Sequence, residues 1–128
     1  MQIPQRNKHV YLKDDCPFCF FNETKNQIYW TWKYWTIYFN KNPYSIEQNH
    51  LLALPKRHIK YFRELDNDEL IEYGEVSNKI LEFFGDKDYF SFSRETMAKR
   101  SVEHLHIHFL IWKLRATTLT LMLREQWL

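Results

Sequence analysis

Three histidines, His104, His106 and His108, alternate with Leu105, Ile107 and Phe109 in the stretch RSVEHLHIHFLI. On a strand, side chains at i, i+2 and i+4 share a face. The three imidazoles then line one face, while Leu105, Ile107, Phe109 and Ile111 turn to the other, towards a core. Such a row suits nucleophilic attack, hydrogen bonding to anionic oxygens, or metal ligation. A merely solvated face would more usually carry Thr, Lys or Glu. Two further histidines flank the run HLLALP, His50 at its start and His58 after it in PKRHI. Upstream, Cys16 and Cys19 form CPFC. In a reducing compartment this pair is a metal knuckle or a redox pair. The turn-like NETKNQ that follows lacks the helix of a thioredoxin-like site.

The elements around these residues predict an α+β fold: an antiparallel sheet of about five strands with one main helix and a short helical turn. QIYWTWKYWTIYFN (27–40) is aromatic and β-branched and reads as two strands with a tight turn near Thr31–Lys33. NKNPYSIEQ (40–48) is a loop, HLLALP (50–55) a buried strand and RHIKYFREL (57–65) the short helical turn. Residues 66–85 are the main helix. Asp66 caps it, Glu69 stands at the capping-box position, and Gly85 ends it. Leu70, Tyr73, Val76, Ile80 and Phe84 form its apolar stripe. DYFSFS (88–93) and VEHLHIHFLIW (102–112) are strands. The tail, 113–128, reads as strand or helix, and 1–15 as a polar arm.

A chain of 128 residues suits one domain spanning 1–128. Its 45% hydrophobic content is that of a globular protein. A net charge of +2 is too small to point to nucleic acid or an acidic membrane. No apolar run approaches the about 20 residues of a membrane helix. The start, MQIPQRNKHVYLKDD, lacks a secretory apolar stretch, so a cytoplasmic protein is expected.

HLHIHFL matches the His-φ-His-φ-His-φ-φ pattern of the histidine triad (HIT) family, where φ is apolar. NHLLALPKRHI, NKNPY and RSVEHLHIH resemble that family's other segments, in its order, over about residues 16–112. The resemblance implies a nucleotidyl hydrolase or transferase acting at the α-phosphate of a nucleotide conjugate, such as a dinucleoside polyphosphate or nucleoside phosphoramidate. In that reading His106 is the nucleophile, His108 donates to phosphate oxygens and His50 supports them. Ser101 contacts phosphate, Ser93 keeps a weaker polar contact, and Asn40, with Asn42 competing, binds the ribose hydroxyls. With its N-terminal C-x-x-C the chain resembles zinc-knuckle-bearing members, the diadenosine polyphosphate hydrolases and the galactose-1-phosphate uridylyltransferase-like branch. Their pattern implies a structural zinc on Cys16, Cys19, His58 and His104. A homodimer is also implied by resemblance alone.

The loop SRETMAKRS departs from the family. It has no glycine, and Arg100 replaces the usual Gln. Arg94, Lys99 and Arg100 would suit the grip of an extended polyphosphate, or form a solvated basic loop. Two alternatives stay open: a nucleotide-binding module without catalysis, and a phosphohydrolase whose triad histidines ligate a catalytic metal. Tyr29, Trp30, Trp32, Tyr34 and Trp35 are either core or a base-stacking surface.

Overall fold

The structure is a computed structural model. It describes residues 16, 18–19, 28–40, 49–95 and 103–111, and positions 117, 120, 121 and 124. The sequence readings for the arm (1–15), Asn42, Lys99, Arg100, Ser101 and Trp112 lie outside these residues.

Five strands and one main helix follow in the order β1 (Ile28–Thr31), β2 (Trp35–Phe39), β3 (His50–Pro55), α1 (Asn67–Phe84), β4 (Tyr89–Phe92) and β5 (Ile107–Ile111). The strands form one sheet ordered β1-β2-β3-β5-β4, and every neighbouring pair is antiparallel. The expected helical turn is a 3-10 turn at Phe62–Glu64. In the tail, Thr117, Thr120, Leu121 and Arg124 are helical, so the helix reading holds there.

Strand alternation decides which side chains reach the helix. Trp35, Ile37, Leu51, Ala53, Ile107, Phe109 and Ile111 meet Val76, Ile80 and Phe84 of α1 in the main core. Tyr29, Trp32 and Tyr34 pack against it, so these members of the aromatic run join Trp35 in the core. Trp30 is exposed, with Lys79 Nζ 3.6 Å from its ring centroid. Tyr38, Leu52 and Leu54 form a second, smaller cluster with Phe18. β3 thus carries buried side chains on both faces and reads as a continuous apolar run.

The helix stripe departs from expectation in one turn. Leu70 is 44% exposed, and Glu69 beside it is 1% exposed. A buried carboxylate is tolerated only when paired and hydrogen-bonded. Glu69 accepts from Asp66 N at 2.9 Å, closing the capping box, and from Arg57 Nη2 at 2.7 Å. Its carbonyl also receives the Trp35 indole N–H at 2.8 Å. Glu72 Oε1 accepts from Tyr34 N and Trp35 N at 2.9 and 3.1 Å, which fastens α1 to the β1–β2 turn. Gly85 ends the helix at φ 63, a backbone that β-carbon side chains resist.

β5 begins later than its alternation suggests. It starts at Ile107, and Glu103 and His104 lie in a bend before it. There Leu105 N donates to Ile59 O at 2.6 Å, so the backbone bonds to the segment after β3 instead of extending the ladder. This departure separates His104 from the two histidines that follow.

Candidate active site and metal centre

The histidine row divides into two centres. His104 faces the knuckle. Its Nδ1 lies 3.6 Å from Cys16 Sγ and 3.4 Å from Cys19 Sγ, while Cys19 Sγ lies 3.0 Å from His58 Nδ1. The four ligand atoms all fall within 4.8 Å of one another. Tetrahedral zinc with Zn–S of about 2.3 Å and Zn–N of about 2.0 Å sets ligand edges of roughly 3.3–3.8 Å, close to these separations. His104 Nε2 lies 2.7 Å from Pro55 O. A carbonyl only accepts, so Nε2 carries the proton and Nδ1 turns its lone pair to the cysteines. The residues therefore fit the ion. Cys16 and His104 are fully buried and both cysteines are reduced.

His106 follows the bend, partly exposed. Its Nδ1 lies 2.7 Å from the carbonyl oxygen of His104. That bond puts the proton on Nδ1 and the lone pair on Nε2. His108, in β5, stands opposite Leu52 of β3 and Phe92 of β4. Phe92 stacks on its ring at 4.5 Å between centroids, with planes 6° apart. His50 Nε2 approaches His108 Nδ1 at 2.9 Å. The His106 and His108 rings are 5.1 Å apart.

Asn40 is at the edge of this group, with Nδ2 3.2 Å from His50 Nδ1. Ser93 sits half-buried one residue past Phe92. Sequence reasoning missed Phe18. It lies between the two cysteines, with its ring 5.4 Å from His106, 5.9 Å from His104 and 6.3 Å from Tyr38. Its only signal was its place inside CPFC. Glu103, next to His104, is buried and ion-paired to Lys60.

Burial keeps the two inner histidines neutral. Burial first, and then the charge of His106, lowers His50 from 6.5 to about 3. His108 falls well below 6.5 through burial, then through His106, His50 and Arg94. Both imidazoles bind protons more weakly folded than unfolded. Their stability contribution is therefore present above the unfolded value of 6.5 and is lost as pH falls from there towards about 3. Each group gives a slope of at most about 1.4 kcal/mol per pH unit. Urea unfolding followed from pH 8 to 5 should show little change from these two groups above pH 7 and a decline below 6.5. Stability unchanged down to pH 5 contradicts buried neutral imidazoles.

The fold has counterparts among known proteins. The chain belongs to the family described as scavenger mRNA decapping enzyme C-term binding, whose model matches residues 6–121; it is a family of the histidine triad superfamily. Among solved structures it is similar to a HIT family hydrolase from Clostridium thermocellum, at 26% identity and a TM-score of 0.65, covering 78% of this chain and 92% of that one. A diadenosine triphosphate hydrolase from Plasmodium falciparum is 25% identical with a TM-score of 0.58, covering 68% of this chain and 61% of that one. A zinc-bound histidine triad family protein from Mycobacterium smegmatis is 17% identical with a TM-score of 0.62, covering 77% and 75%, and shares the fold. No curated protein sequence matches significantly. Among the described residues, no helix is long and apolar enough to cross a membrane.

Proposed function

We propose that the protein is a nucleotidyl hydrolase or transferase that attacks the α-phosphate of a nucleotide conjugate through a nucleotidyl-His106 intermediate. The observation that carries this reading is the 2.7 Å bond from His106 Nδ1 to the His104 carbonyl. It fixes the proton on one nitrogen and directs the nucleophilic pair to the other.

His106 Nε2 attacks the α-phosphorus, and the N–P bond forms as the bond to the leaving oxygen breaks. A leaving polyphosphate takes the electron pair and needs little protonation. The imidazole keeps its Nδ1 proton on the carbonyl and carries the positive charge of the intermediate. Water then attacks phosphorus, the N–P bond returns its electrons to His106, and the water proton passes to solvent. His108 hydrogen-bonds the phosphoryl oxygens, and His50 supports it. Ser93, Ser101, Arg94 and Arg100 are assigned further phosphate contacts, and Asn40 or Asn42 the ribose contact. A zinc on Cys16, Cys19, His58 and His104 would have four protein ligands and no open position, so it would supply structure rather than Lewis acidity.

The similarity to a HIT family hydrolase supports hydrolysis, and that to a diadenosine triphosphate hydrolase supports a dinucleoside polyphosphate substrate. The family's decapping description supports the same class, because an mRNA cap is joined by a 5′–5′ triphosphate bridge. Exposed Leu70, Ile71 and Leu81 on α1 support a homodimer. A catalytic ion on all three triad histidines is disfavoured, because His104 turns its Nδ1 to the knuckle, away from His106 and His108.

Two displacements at one phosphorus give net retention of configuration, and a single attack by water gives inversion. Hydrolysis of a dinucleoside polyphosphate with a chiral α-phosphorothioate, run in oxygen-18 water, should proceed with retention. Inversion would exclude the covalent intermediate.

A further inference from the structure

His58 and His104 reach the knuckle from segments outside the sheet, one after β3 and the other before β5. Their rings stand 4.9 Å apart at 83°. Both turn Nδ1 to Cys19 Sγ, at 3.0 and 3.4 Å. Three contacts fasten the two segments together. His104 Nε2 donates to Pro55 O at 2.7 Å. Leu105 N donates to Ile59 O at 2.6 Å. Lys60, two positions past His58, forms an ion pair with Glu103, the residue before His104.

The energetics of this ion pair set it apart from a surface bridge. Glu103 is 9% exposed, and taking a carboxylate that far out of water is expensive. The attraction of the lysine roughly offsets that cost, so the pair adds little net stability. An apolar side chain would fill the same space without the penalty. What the pair supplies is position. The single backbone bond from Leu105 to Ile59 allows one turn to pivot on the other. A second attachment beside it, from Lys60 to Glu103, removes that freedom and holds the two imidazoles at one separation.

We propose that Glu103 is a positioning residue, whose ion pair with Lys60 clasps the turns bearing His58 and His104 so that the histidine half of the metal site is formed before the ion binds. The clasp rests on the zinc proposed above for Cys16, Cys19, His58 and His104.

The test measures zinc affinity of the full chain against a chromogenic chelator, and urea unfolding of its apo and zinc-loaded forms. Glu103→Gln keeps the volume and removes the charge. Lys60, whose side chain is 49% exposed, then turns to water. Zinc affinity should fall about tenfold, the lower end of what loss of an outer partner of a metal ligand costs. The apo form should unfold at nearly the wild-type urea concentration. Lys60→Gln should weaken zinc as well, and the double variant should lose no more than the worse of the two. Lys60→Arg, which keeps the pair, should keep the wild-type affinity. Unchanged zinc affinity in Glu103→Gln overturns the clasp and leaves the metal centre standing. So do equal losses of stability in the apo and zinc-loaded forms, or losses that add in the double variant. A wild type that binds no zinc overturns the metal centre, and the clasp with it.

Discussion

His106→Ala should lose turnover of a dinucleoside polyphosphate by at least about 10³-fold, as removal of a nucleophile does elsewhere. The substitution removes the nitrogen whose electron pair forms the N–P bond. It leaves the His50–His108 pair, joined at 2.9 Å, to hold the phosphate. Substrate binding should therefore change only a few-fold. His106 is partly exposed, and its one described backbone bond runs to a carbonyl that water can satisfy, so the melting temperature should barely move. Added imidazole, small enough to enter the space vacated, should restore part of the rate. Unchanged turnover in His106→Ala would remove the covalent mechanism and leave direct attack by water.

The second large effect concerns the knuckle. Cys16→Ser should lower stability by about 3 kcal/mol or more, given the roughly 10–16 kcal/mol that structural zinc contributes to small domains. That corresponds to a fall in melting temperature on the order of 10 °C. A chelator should lower the wild type to the same level and leave Cys16→Ser little affected. The reason is local. Cys16 and His104 are fully buried, and without an ion their ligand atoms are polar groups held away from water. The backbone at His104 also carries the carbonyl that holds His106. Turnover should fall in step with the folded fraction. Loss of turnover at an unchanged melting temperature would assign the ion to catalysis. Native mass spectrometry showing no bound zinc would contradict the metal centre itself.

Much of the fold was legible because side-chain alternation survives in the sequence. The histidines, the two faces of β2 and β3, and the caps of α1 at Asp66 and Gly85 all follow from local pattern. The departures come from partners far along the chain. Alternation predicts where side chains point, and it continues through Leu105. It says nothing of the backbone bond from Leu105 to Ile59 that ends the ladder and turns His104 aside. Nor does it show Arg57, twelve positions before Glu69, which lets that carboxylate sit in the place expected of Leu70. The four-residue ligand set was carried by family resemblance. Its closeness in space depends on loops that no periodicity describes. Asn40 was singled out by the family resemblance, as a ribose contact. Its contact with His50 required the pairing of β2 with β3, in which Phe39 stands opposite Leu51.

The most direct test of the central claim is rapid acid-free quenching of the protein with a dinucleoside polyphosphate, followed by intact-mass and peptide mapping. A nucleoside monophosphate adduct should appear within the first turnover, map to His106, and be absent from His106→Ala. Turnover with no adduct at any time, or an adduct on another residue, would contradict the account.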